Sequence, residues 1–257
     1  MIIEDLELEN KELKRKLKIA KQWMEKEVKN QVSRITKEKI EKLSPSEVED
    51  LFEENIEDTI TTKITRFFGE VTLINMPSSI VENIISAEIN YYNMRKNPNF
   101  DGLSVILSYH KALDVMIESF IIKGFRKFAH KKKQTTLRQN DVLEKSLNSV
   151  VNTGYILSVG RLFHVLQLIS HDEKLFDYVG CFKEYLSKYT YLQDVLLSDE
   201  FMKVFSDLVN SEILGKKRHV GKTNFVETRK ARELLIGGLE NKNCLIYMLA
   251  ETQKLDF

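Results

Sequence analysis

The chain has 257 residues, of which 42% are hydrophobic and 30% are charged, and its formal net charge is +1. This length allows one large hydrophobic core, or one domain of about 200 residues with an additional arm. The near-neutral charge argues against a protein that coats nucleic acid generally, because such proteins are strongly basic. The chain has only 3 prolines and 10 glycines, and their scarcity favours long helices.

Three further features of the sequence concern the cellular compartment of the protein. The N-terminus begins with acidic residues and does not have the pattern of a signal peptide. No apolar run approaches the roughly 20 residues that a membrane-spanning helix needs. The two cysteines, Cys181 and Cys244, stand far apart in apolar surroundings without a CxxC partner, which predicts buried free thiols. We therefore expect a soluble, cytoplasmic protein that does not bind membranes.

Residues 1–43 are predicted to form a charged helical arm, because they are dense in Glu and Lys. The apolar residues of the arm are spaced mostly three, four or seven apart, as in a coiled coil, and this spacing shifts near Met24 and Val28. These apolar residues are Leu6, Leu13, Leu17, Ala20, Met24, Val28, Val32 and Ile35. Two interpretations stay open. The arm packs on its own domain, or it mediates self-association or binds a protein partner.

Residues 44–257 are predicted to form one helical domain. Its first helix begins at Ser44–Glu47, which combines an N-cap serine, a proline at the first helical position and a capping-box glutamate. The β-branched run Thr59–Thr62 weakens this helix, so a strand there is the alternative. Val71–Ile74 is the best candidate in the chain for a short extended segment.

The sequence of the rest of the domain predicts helices. Ser78–Asn93 reads as one helix, and Leu103–His130 is apolar nearly all round, as a central buried helix should be. The signals that begin or end later helices lie at Asn140–Asp141, Ser198, Asn224 with Glu227, and Gly237–Gly238. No alternation of period two is sustained, so the sequence predicts an all-α protein of about nine or ten helices.

The motifs of several enzyme classes are missing from the sequence. It has no Walker A loop and no GxGxxG, so a glycine-rich phosphate cradle is not expected. It has no HExxH or GxSxG, and its five histidines lack the spacing of metal ligands. We expect no cofactor and no bound metal.

Two sets of residues, one in each half of the chain, carry a resemblance to a known family. In the first, Ala87-Glu88 is followed by Asp101–Ser104 and then by Tyr109–Asp114, which includes a Lys-Ala-Leu-Asp stretch. In the second, His219 stands 13 residues before Arg232 of an Arg-Glu pair. Together they resemble the HEPN-like superfamily over roughly residues 80–250. The resemblance implies a multi-helix HEPN-like bundle behind the charged arm.

In catalytic members, the resemblance implies metal-independent RNA cleavage by an arginine and a histidine, usually completed in a dimer. Here the positions five, six and seven residues before His219 are Leu214, Ile213 and Glu212, and none can replace a guanidinium. Arg218 is adjacent to His219, and neighbours on a helix diverge. We therefore expect a non-catalytic interaction or scaffold subunit, in the prokaryotic stress or phage-defence context that the resemblance implies.

The alternative is a HEPN-type ribonuclease or RNA-binding module that acts through the basic loop 215–222. His219 and Arg218 would then be the catalytic residues, and Lys216, Lys217 and Lys222 would contact phosphate. The second cluster of nucleic-acid-binding candidates is Lys131, Lys132 and Lys133, directly after the central helix. This cluster is also interpreted as a solvated charge run at a helix end, where the helix dipole favours cations.

Overall fold

The computed structural model describes residues 13, 16–17, 19–24, 26–27, 56–97, 99–134, 141–171, 175, 177–211 and 222–253. These residues contain helices and no strand, so the prediction of an all-α fold is confirmed. The α-helices that follow the arm are α1 (Ile56–Phe68), α2 (Glu70–Asn75), α3 (Ser78–Lys96), α4 (Leu103–Ile117), α5 (Lys123–Lys131), α6 (Val142–Thr153), α7 (Val159–His171), α8 (Asp177–Lys188), α9 (Thr190–Leu196), α10 (Asp199–Asn210), α11 (Phe225–Ile236) and α12 (Leu245–Glu251).

The core is organised around the predicted central helix. α4 and α5 are joined by one π-helical turn, Glu118–Ile122, so helical backbone is continuous across this apolar segment. Fully buried side chains occur along the whole of this segment, as at Tyr109, Met116 and Phe125. α3 makes the most extensive contact with α4, α11 and α12 pack on α4 as well, and α5 packs against α6 and α8. Cys181 and Cys244 are buried free thiols, as predicted.

The local signals for helix ends at Asp141, at Asn224 with Glu227 and at Gly237 are confirmed, whereas the predicted helix start at Ser44–Glu47 lies outside the described residues. Asp141 caps α6, and its Oδ1 accepts a hydrogen bond from the backbone N–H of Leu143 at 2.7 Å. Asn224 and Glu227 form the predicted capping box of α11. This helix ends at Gly237, whose φ of 58° lies in the left-handed region that glycine adopts most readily.

The extended segment expected at Val71–Ile74 is wrong, because these residues form α2. Thr72 and Leu73 are buried in it, so packing against the core overrides the local preference of β-branched residues for strands. The strand alternative at Thr59–Thr62 is wrong as well. Thr61 lies in α1, and its hydroxyl donates to the carbonyl of Glu57 at 2.7 Å within the same helix.

The described residues of the arm are helical and lie against the domain. Trp23 is half-buried and packs on the hydrophobic core. Lys26 Nζ lies 3.1 Å from Asp58 Oδ1 of α1. Trp23 and Ile19 also line a cavity of about 360 Å³ that α1, α2 and α3 share with the arm. The other residues of the predicted arm, 1–12, 14–15, 18, 25 and 28–43, lie outside the described residues.

Candidate functional site

Two of the residues that carry the resemblance, Glu88 of α3 and Arg232 of α11, form a buried ion pair inside the domain. Arg232 Nε donates to Glu88 Oε1 at 2.7 Å, and Nη2 donates to Oε2 at 2.9 Å. The two side chains are only 7% and 13% exposed. These parallel bonds form the bidentate geometry in which a guanidinium binds a carboxylate most strongly. Arg232 Nη2 also donates to the carbonyl of Gly238 at 2.9 Å, which ties the pair to the end of α11.

Two tyrosines complete this cluster. The hydroxyl of Tyr109 donates to Glu88 Oε1, and the ring of Tyr91 lies 4.6 Å from the Arg232 guanidinium. Burial raises the pKa of Tyr109 well above its ordinary value, and the charge of Glu88 raises it further. Burial alone would lower the pKa of Arg232, but the hydrogen bonds and charge of Glu88 outweigh this effect and raise it. The arginine therefore stays charged and the phenol stays protonated.

This arrangement holds helices together and does not present a reactive group to solvent. The carboxylate and the guanidinium compensate each other, and Nε and Nη2 of Arg232 donate to Glu88 and Gly238. Glu88 is the one acid among the buried positions of α3, which indicates that it needs a partner but does not identify Arg232.

The turn before α4 is hydrogen-bonded to the segment that leads into α11. Asp101 Oδ1 accepts hydrogen bonds from the backbone N–H of Leu103 at 3.0 Å and of Thr223 at 2.9 Å. The Gly102 N–H donates to the carbonyl of Thr223 at 3.0 Å. A Cβ atom at Gly102 would lie 1.8 Å from Thr228 Oγ1, so this close approach requires glycine. The chain that leaves the basic loop is thus fixed to the start of α4.

The basic loop itself is only partly described. The predicted catalytic residues His219 and Arg218, together with Lys216 and Lys217, lie outside the described residues. Lys222 is described and exposed, and it directly precedes the anchored Thr223. The ribonuclease alternative therefore stays a prediction from the sequence.

The other predicted basic cluster lies on the surface at the end of α5. Lys131, Lys132 and Lys133 are all exposed, and Lys132 forms a salt bridge with Glu184 of α8. Residues 123–133 contain six lysines and arginines and no acidic residue. Beside them, α5 and α8 border a groove of about 580 Å³ lined by Phe128, Leu175, Gly180, Lys183, Glu184, Ser187 and Lys188. The sequence did not indicate that α8 would add lysines to this surface.

The arm presents two faces. Trp23 and Lys26 hold one face against the domain, as described above. On the other face, Leu13, Leu17 and Met24 are 58%, 73% and 66% exposed. Since successive helical residues turn by about 100°, these three apolar side chains share one side of the helix and Trp23 points to another. We call Leu13, Leu17 and Met24 the arm seam.

Two further observations concern metal binding and membrane-spanning helices. Among the described residues, no group of three or more His, Cys, Asp and Glu side chains is placed to hold a metal ion. No helix within the described part of the chain has both the length and the apolar character needed to span a membrane.

Comparisons of the chain with protein-family models, curated proteins and solved structures gave no match.

Proposed function

We propose that the protein is a non-enzymatic helical interaction subunit, and that it associates with a second copy of itself through the arm seam. The observation that carries this proposal is the exposure of Leu13, Leu17 and Met24 on a helix that is already anchored to the domain. The stress or phage-defence context remains an expectation from the HEPN-like resemblance.

The seam has the chemistry of a helix–helix interface. Burial of a leucine or methionine side chain contributes about 1.5–3 kcal/mol, so three of them provide a substantial driving force. The seam residues and Ala20 are spaced by four, three and four positions, which is the spacing of a coiled-coil core. Because Trp23 and Lys26 fix the rotation of the arm about its axis, the seam faces away from the domain and is available to a partner helix.

The charge pattern of the arm favours a second copy as that partner. Residues 4–12 contain five acids and one lysine, whereas residues 14–21 contain five bases and no acid. Two copies of this sequence that pair in antiparallel orientation bring unlike charges together, and the same surface then serves both partners, as a twofold interface requires. Electrostatic complementarity of this kind selects the partner and its orientation.

Co-expression of a tagged and an untagged copy tests this function. We expect the untagged copy to co-purify with the tagged wild type. Leu17→Glu in both copies should abolish co-purification, because it buries an unpaired carboxylate in the seam. Val226→Glu is the matched control, since Val226 on α11 is 75% exposed and Leu17 is 73% exposed. Retention of the untagged copy by Leu17→Glu would refute the seam as the interface.

A further inference from the structure

The groove between α5 and α8 is lined by lysines of α8, and α5 carries a row of exposed lysines. Lys123, Lys127 and Lys131 are exposed and spaced by four positions, so they form a row along α5 with about 6 Å of axial rise between neighbours. On α8, Lys183 and Lys188 line the groove. The whole chain has a net charge of only +1, so this concentration of lysines is a local feature of the surface.

Aromatic side chains lie among these lysines. The ring of Phe128 lines the groove, and Lys188 Nζ lies 5.8 Å from its centroid. Tyr189, directly after α8, is 50% exposed and packs on Tyr185. Lysines that follow a backbone, with aromatic rings beside them, form the surface that single-stranded nucleic acid recognises.

We infer that this α5–α8 groove binds the phosphodiester backbone of single-stranded nucleic acid without strong sequence preference. The row of lysines on α5 fits an extended strand better than one isolated phosphate group. Base-specific reading usually depends on bidentate side chains such as arginine. The arginine of α5, Arg126, is already occupied, because it bonds to Glu118 and to the carbonyl of Val150 at 3.0 Å each. This binding is independent of the arm seam.

One acidic residue competes with the ligand. Of the described residues that line the groove, Glu184 alone is acidic, and it forms a salt bridge with Lys132. A bound phosphate must displace this carboxylate or share the lysine with it. Removal of the charge by Glu184→Gln should therefore tighten binding several-fold. Glu200→Gln on α10 is the matched control, because Glu200 is also exposed and its substitution changes the net charge equally.

The test uses labelled oligouridylate and oligothymidylate of equal length, titrated with the full chain at several salt concentrations. If five lysines contact phosphates, the plot of log K against log salt should have a slope of about −3.5. Lys127→Ala with Lys131→Ala should make that slope shallower by about 1.4. The control double variant, Lys63→Ala with Lys203→Ala, removes two exposed lysines from α1 and α10 and should leave the slope unchanged.

Three outcomes would overturn the inference. One is the absence of binding at low salt, and another is equal weakening by the two double variants. The third is displacement of the labelled oligonucleotide by polyglutamate at equal charge, which would indicate that the groove binds an acidic protein surface. Circular dichroism melting of each variant separates lost binding from lost folding. Tighter binding by Glu184→Gln cannot result from misfolding and supports the groove directly.

Discussion

Removal of the arginine from the buried Glu88–Arg232 pair should destabilise the fold strongly. In Arg232→Ala, the Glu88 carboxylate keeps its buried position, with 7% of the side chain exposed, but loses its cation. Two charge-assisted hydrogen bonds to Glu88 and one to Gly238 disappear with the side chain. The ring contact with Tyr91 at 4.6 Å is lost as well.

The expected magnitude follows from these contacts. Hydrogen bonds to charged groups contribute about 1.5–3 kcal/mol each, so the two bonds to Glu88 account for about 3–6 kcal/mol. Breaking a buried ion pair by removing one partner costs about 3–5 kcal/mol, which agrees with that range. Domains are stable by only about 5–15 kcal/mol, so Arg232→Ala should remove a large part of the free energy of unfolding.

Urea unfolding followed by circular dichroism measures this loss as a lower midpoint at an unchanged slope. Arg229→Ala, at an exposed position of the same helix, should change the free energy of unfolding by less than about 0.5 kcal/mol. Glu88→Gln in the Arg232→Ala background should recover part of the loss, because it removes the unpaired charge. A cost below about 1 kcal/mol for Arg232→Ala, or no recovery in the double variant, would refute this reasoning.

Three further predictions concern other contacts. Trp23 is the only tryptophan of the chain, so its fluorescence reports on the docked arm. Asp58→Lys places a charge that repels Lys26, and it should shift the fluorescence of Trp23 to longer wavelength. An unchanged spectrum would contradict the docked arm. Gly102→Ala should cost about 1–3 kcal/mol in thermal unfolding, because its Cβ collides with Thr228. Burial raises the pKa of Cys244 to about 12, so a thiol reagent at mildly alkaline pH should modify it only after unfolding.

Local signals made several helix ends predictable from the sequence. The Asn224–Glu227 capping box depends on residues three positions apart, and Gly237 needs only its own backbone conformation to end α11. The central helix was equally clear, because its apolar side chains continue around the helix from Leu103 onwards. Each of these features is encoded within a few turns of chain.

Contacts between distant segments could not be predicted in the same way. Glu88 and Arg232 are 144 positions apart, and no local pattern pairs them. Glu144 of α6 accepts hydrogen bonds from the backbone N–H groups of Tyr178 and Val179, so it caps α8 from another helix. Burial raises the pKa of Glu144, although these two bonds oppose the increase. Only the folded chain brings such partners together.

The candidate sites were likewise predictable from the sequence only in part. The sequence indicated Lys131–Lys133 as a basic cluster, and these residues are exposed. It did not indicate Lys183 and Lys188, because their contribution depends on the packing of α8 against α5. In the arm, the spacing of the apolar residues left two alternatives open, which were docking on its own domain and association with a second copy or a protein partner. The described residues dock through Trp23 and leave Leu17 exposed, so one helix has the surface for both roles.

The most direct test of the proposed self-association is the molar mass of the full chain in solution, measured by light scattering over a series of concentrations. The chain has a mass of 30.0 kDa. We predict that the measured mass rises with concentration towards twice this value, and that Leu17→Glu holds it at the mass of one chain. A wild-type mass that stays at 30.0 kDa at every concentration would contradict self-association through the arm seam.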